Sequence, residues 1–248
     1  YLQQITPRAD TEVALNRSYN RWLADIWRQG EGRLRWIYMP PLLRINEAVD
    51  QLSWAAENGA CGVMMRGLEG DRMLINPYFF PLYEEAQRLN LPICIHAGGG
   101  NPQYRLVVET EGFSRAKLLV VGSMHALLSH DIPSKFPELR WGFIEASASW
   151  LPWLLSDLGR RRERDGHPID KRTILPENRM YVTCQTDDDL PYLVDTVGED
   201  SLVIGTDYGH ADTSSEIDAL RKLHVSGVVP PGVVHKILED NPKALYGI

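Results

Sequence analysis

"LVIGTDYGHAD", residues 202–212, decides how the rest of the chain is read. It opens on Leu202, Val203 and Ile204, then runs through Gly205 and Thr206 onto Asp207, Tyr208, Gly209 and His210. A short apolar run that does not alternate with polar residues reads as a strand buried on both faces, the habit of parallel sheets flanked by helices. A solvated turn has no use for a carboxylate and an imidazole placed directly beyond such a strand. The question is whether other strands end the same way.

Five further runs read as strands of this kind: residues 34–39, 61–65, 91–95, 139–144 and 180–184. Helical patterns alternate with them at 11–27, 46–58, 77–89, 113–130, 149–164, 188–197, 213–225 and 232–239. Gly59 suits the end of the second helix, and Asn76-Pro77 offers a cap and a first-turn proline for the third. Such alternation means a doubly wound sheet or a β/α barrel. The first usually carries a glycine-rich phosphate loop after its first strand, and none is found there, which also argues against a nucleotide-binding module. "HAGGGNP", residues 96–102, follows a middle strand and lacks that spacing. It reads as a flexible loop, with backbone contact to a ligand as the lesser alternative. The expected fold is α/β, a (β/α)8 TIM-like barrel forming a single domain over residues 1–248. Six strands are counted where a barrel has eight, and a helix opens the chain, so the first two strands are expected to be the missing ones.

In such a barrel the functional groups sit where strands run into the following loops. Here the strand ends deliver Arg66, His96, Glu145, Gln185 and Asp207. Singly each has a plain structural account: His96 as a satisfied core histidine, Glu145 paired with Arg66, Asp207 capping the next helix. Together they place imidazole and carboxylates around one opening, a donor set that suits a divalent metal such as zinc, iron or manganese. A metal lowers the pKa of bound water to about 7, and a nearby carboxylate can move the proton. His210 is within reach of the same rim. His125 and His130 read as helix surface and His167 as a loop residue.

Composition removes other classes of function. Lys and Arg number 26 against 33 Asp and Glu, a net charge of −7, which disfavours nucleic acid as a partner. No apolar run approaches the roughly 18–20 residues that cross a bilayer, so no membrane partner is expected, and the first twenty residues do not read as a signal peptide. The basic cluster Arg160, Arg161, Arg162 and Arg164 follows an apolar helical segment and reads as the cationic end of that helix. Cys61, Cys94 and Cys184 lie in apolar runs without CxxC spacing and read as buried free thiols, which fits a cytoplasmic location. Asn16-Arg17-Ser18 matches a glycosylation pattern of the kind that recurs by chance.

"LPICIHAGG" (91–99), "FPELRWGFIEASASWLPWLL" (136–155) and "GTDYGHAD" (205–212) resemble the last four strands of the amidohydrolase superfamily. The branch they look like includes the aminocarboxymuconate semialdehyde and resorcylate decarboxylases. "NRSYNRWLADIW" (16–27) resembles the helix after that branch's second strand, so the resemblance spans nearly the whole chain and again places the missing strands first. It implies that His96 is a metal ligand and Asp207 a ligand and proton acceptor. The histidine pair, or carboxylate and histidine, of the family's first strand has no counterpart in these residues. Glu145 stands where many members have histidine. A subset resembles this chain in having glutamate before a tryptophan-containing segment, here Trp150 and Trp153. The added carboxylate favours iron or manganese over zinc.

The leading expectation is a metal-dependent enzyme that hydrolyses an amide, lactone or C–C bond of a small organic substrate. Asp207, Glu145 and His210 are its catalytic candidates, and His96, Asp207 and Glu145 its metal ligands. Arg66, Trp150 and Tyr208 are candidates for binding the substrate. The alternatives are a non-oxidative decarboxylase, a dinuclear iron or manganese oxygenase, and a catalytically silent subunit of an active partner. Association as a homo- or hetero-oligomer is an open expectation, with "WLPWLL" either in an interface or packed on the barrel.

Overall fold

The structure, a computed structural model, describes residues 6–99, 101–109, 111–210 and 215–248. The chain forms two compact units: one runs to Arg140 and includes Gly247, and the other is Trp141–Tyr246 with Ile248.

The first unit opens on the helix Ala9–Gln29. Its strands are β1 (Trp36–Tyr38), β2 (Ala60–Arg66), β3 (Leu68–Glu69), β4 (Arg72–Met73) and β5 (Ile93–His96). β2 pairs in parallel with β1 on one side and β5 on the other, with Val63 opposite Ile93 and Arg66 opposite His96. The crossover helices Ile45–Glu57 and Phe80–Arg88 make this parallel order feasible. Asn76 caps the turn Pro77–Phe79 by accepting from Tyr78 N at 2.9 Å, as the Asn-Pro pair predicts.

Two features of this unit differ from the expectation. β3 and β4 form an antiparallel hairpin that the periodicity did not reveal, because two-residue strands are too short to alternate. The reading of 96–102 as a loop is corrected at its end, where a helix spans Pro102–Val108. Asn101 caps it, accepting from Tyr104 N at 2.6 Å, so Asn101-Pro102 repeats the signature of Asn76-Pro77. Three glycines before it masked the signal.

A stripe of buried polar residues on the opening helix fixes the chain beyond β1. Glu12 Oε2 accepts from Leu43 N at 2.7 Å, Asn16 Nδ2 donates to the Pro40 carbonyl at 3.1 Å, and Asn20 exchanges two bonds with the Met39 backbone. The spacing of four residues keeps all three on one helix face. Asn16 is fully buried, so its glycosylation pattern is inaccessible in the folded chain.

In the second unit β6 (Trp141–Ile144), β7 (Met180–Cys184) and β8 (Leu202–Ile204) pair in parallel, with Phe143 opposite Val182 and Cys184 opposite Ile204. Leu151–Arg164 and Leu190–Val197 are among the connecting helices. The basic cluster ends the first of these, where Asp157 pairs with Arg160 at 3.2 Å and Arg161 at 2.6 Å. The helix expected over 213–225 spans Ala219–Ser226, and residues 211–214 lie outside the described residues. The cysteines are buried and free. Among the described residues no helix is long and apolar enough to cross a membrane.

Candidate functional site

Glu145 is the first residue beyond β6, with a left-handed backbone (φ 63°). Asp207 lies three residues past β8 and is also left-handed (φ 49°). A non-glycine residue held there costs on the order of 1–3 kcal/mol, and such strain gathers at functional sites. The Asp207 carbonyl accepts from His210 N at 3.3 Å, closing a turn that passes through Gly209 at φ 99° and folds His210 back over the aspartate.

The turn brings His210 Nδ1 within 2.6 Å of Asp207 Oδ1 and 3.9 Å of Glu145 Oε1. One donor atom from each of Glu145, Asp207 and His210 lies within 4.8 Å of the others. The two carboxylate side chains are 15% exposed, while that of His210 is 47% exposed. Two shielded carboxylates at this distance repel unless a cation or proton lies between them. Oxygen donors with one imidazole fit a divalent ion of the manganese or iron type. Among the described residues the next helix begins at Ala219, twelve positions beyond Asp207.

Trp150, immediately before the helix Leu151–Arg164, donates its indole N–H to the Ala146 carbonyl at 3.1 Å, which fixes the ring against the Glu145 loop. Tyr208 is 81% exposed. Gln185 is half-buried, and its backbone N–H donates to Asp188 Oδ2 at 2.8 Å. Asp188 was missed in the sequence, where "TDDDLP" reads as no more than a helix start. Its carboxylate also accepts from Ser147, Ala148 and Ser149.

In the first unit Arg66 and His96 end neighbouring strands and are register partners. His96 Nδ1 lies 2.9 Å from the Ala97 carbonyl. A carbonyl can only accept, so Nδ1 carries a proton. Arg66 is 4% exposed; Nη1 donates to the Gly99 carbonyl at 3.1 Å and its backbone N–H to Glu69 Oε1 at 2.7 Å. The guanidinium thereby braces the loop that follows His96. His125 lies in the helix Leu119–Ser129 with Nδ1 3.2 Å from Ser129 Oγ, while His130 and His167 are exposed; none is in the carboxylate cluster.

Comparison with known proteins extends this reading. The amidohydrolase family model matches residues 3–248. Among solved structures, an amidohydrolase from Mycobacterium avium subsp. paratuberculosis K-10 superposes with a TM-score of 0.78 at 20% identity, covering 97% of this chain and 65% of that one. The 2,6-dihydroxybenzoate decarboxylase from Rhizobium gives a TM-score of 0.77 at 17% identity, covering 99% and 80%. The 5-carboxyvanillate decarboxylase from Novosphingobium aromaticivorans, complexed with manganese and 4-hydroxy-3-methoxy-5-nitrobenzoic acid, gives 0.81 at 16% identity, covering 100% and 73%. At these identities the likeness establishes the fold. No curated protein sequence matches the chain. With parallel β/α units ending in an acid-rich strand rim, and a family match over nearly its whole length, the chain belongs to the amidohydrolase family and has its barrel-type fold.

Proposed function

We propose that this protein is a metal-dependent lyase that removes carbon dioxide from a small aromatic carboxylate, with the matched residues acting as one barrel domain. The observation that carries the reading is the convergence of Glu145, Asp207 and His210. Its support from outside the chain is that structures of like fold are decarboxylases, one of them with manganese bound. This reverses the order of the sequence expectation, in which hydrolysis came first and decarboxylation second.

Glu145 and Asp207 would hold the ion. When bound, a divalent ion supplies positive charge that draws in substrate oxygens and offsets negative charge developing during bond cleavage. Trp150, its ring fixed by the bond to Ala146, and the exposed Tyr208 offer aromatic faces to a planar substrate. When the ring-to-carboxylate bond breaks, its electron pair stays on the ring carbon, carbon dioxide leaves, and that carbon takes a proton. The Asp207–His210 pair is placed to deliver it, and the solvent exposure of His210 gives a route for its replacement.

The test uses the full-length protein purified without chelator. Its metal content is measured by plasma mass spectrometry, and carbon dioxide release is followed from a panel of hydroxybenzoates beside amide and lactone substrates. Metal-dependent carbon dioxide release that disappears in Asp207→Asn supports the reading. Hydrolysis of amides or lactones without carbon dioxide release would return the hydrolytic alternative, and product formation that requires oxygen would select the oxygenase.

A further inference from the structure

Glu145 opens a loop that carries no regular structure until Leu151, yet two of its residues, Glu145 (φ 63°) and Ser147 (φ 61°), are left-handed without being glycine. Contacts from outside the loop help to hold that shape. One carboxylate anchors it three times over and ties it to the end of β7: Asp188 Oδ1 accepts from Ser147 Oγ at 2.5 Å and from Ser149 Oγ, and Oδ2 accepts from Ala148 N at 3.0 Å and Gln185 N at 2.8 Å. An ionised carboxylate has about four acceptor positions, and protein donors fill all four. Asp188 is therefore committed to bonds within the protein and is unsuited to being a ligand or proton carrier itself.

The geometry points to Asp188 as the positioning residue for Glu145: it ties the 147–149 backbone to the end of β7 and so fixes the strained conformation that aims Glu145 at Asp207 and His210. This inference rests on the proposed cation site. It adds a dependence that no ligand-type residue reveals, since Asp188 lies on the loop after β7 and acts on Glu145 through its bonds to Ser147, Ala148 and Ser149. The reason for aspartate in particular is that the four donors converge from two directions, and a single hydroxyl or amide oxygen could not accept all of them.

The test is manganese(II) affinity of the full-length protein, read from the paramagnetic resonance signal of the free ion. It compares wild type with Glu145→Ala, Asp188→Ala, Asp188→Asn and the double variant Ser147→Ala/Ser149→Ala. Asp188→Ala is expected to weaken binding by about 10- to 100-fold, the range seen when a group orienting a metal ligand is removed. Asp188→Asn recovers most of the affinity, because its amide oxygen still accepts from the two backbone N–H groups while its NH2 donates to the serine hydroxyls, which reverse their roles. If Asp188→Ala does not fold, the double serine variant decides by the same criterion, showing a weaker loss in the same direction. Affinity unchanged in Asp188→Ala while Glu145→Ala weakens it overturns the positioning role alone. Equal loss in Asp188→Ala and Asp188→Asn also overturns it, since that would mean the charge and not the bonding matters. Unchanged affinity in Glu145→Ala removes the cation site itself, and the Asp188 inference with it.

Discussion

His210 Nδ1 lies 2.6 Å from Asp207 Oδ1, closer than its 3.9 Å approach to Glu145 Oε1. The imidazole is therefore the direct partner of Asp207, placed by a turn of four residues, 207–210. Replacing it by glutamine keeps a polar group there but removes the imidazole that would relay the proton. His210→Gln is expected to lower turnover by about 100-fold or more, the usual contribution of a positioned proton donor. Steady-state kinetics of carbon dioxide release checks this. Wild-type turnover in the variant would remove His210 from the reaction.

Glu12 predicts a pH dependence of stability. Burial raises its carboxyl above the ordinary value, with the backbone bonds from Leu43 and Leu42 acting in the opposite direction. The folded chain thus holds this proton more tightly than the unfolded chain. Stability contributed by the protonated group is complete below the ordinary carboxylate value and falls as pH rises through the raised folded value. Glu12→Gln retains an oxygen for Leu43 and has nothing to ionise. Its melting temperature should exceed that of wild type by a margin that opens as pH rises across that window and is absent in acid. A margin independent of pH would show that Glu12 does not titrate differently on folding.

The three cysteines are expected to be inert. Burial pushes the Cys61 thiol up to about 11 and that of Cys184 up to about 12, and raises Cys94 further. The thiolate is the reactive form, so almost none is present at pH 8. Titration with a chromogenic disulfide should count no thiols in the native protein and three after denaturation. Rapid labelling of any one in the native state would contradict its burial.

Gly67 links Arg66 at the end of β2 to the β3–β4 hairpin, and a Cβ there would lie 1.9 Å from the Leu119 carbonyl oxygen. Backbone cannot swing aside as a flexible side chain can. Gly67→Ala should destabilise the protein by about 1–3 kcal/mol, the usual cost of forcing extra volume into a packed site. Urea unfolding measures it, and a midpoint equal to that of wild type would mean the neighbouring helix shifts freely.

Much of this protein is legible in the order of its residues. Apolar runs such as 180–184 and 202–204 specify buried strands by themselves, because a strand with helices on both faces has no polar side to show. Strand ends are equally local, so Glu145, His96 and Asp207 were placed near the ends of their strands from sequence alone. Capping is local too: Asn76-Pro77 and Asn101-Pro102 carry the same signal, and both asparagines cap the helical turns that follow. What only the tertiary structure decided is which groups meet. The left-handed backbones of Glu145 and Asp207, the 2.6 Å approach of His210, and the four bonds converging on Asp188 depend on turns whose shape is set by contacts distant in sequence. Aspartate in a loop has the same appearance in a sequence whether it faces solvent or, like Asp188, accepts three bonds from another strand's loop and one from its own. Periodicity records which face of an element is buried, and the pairing of individual polar atoms leaves no periodic trace.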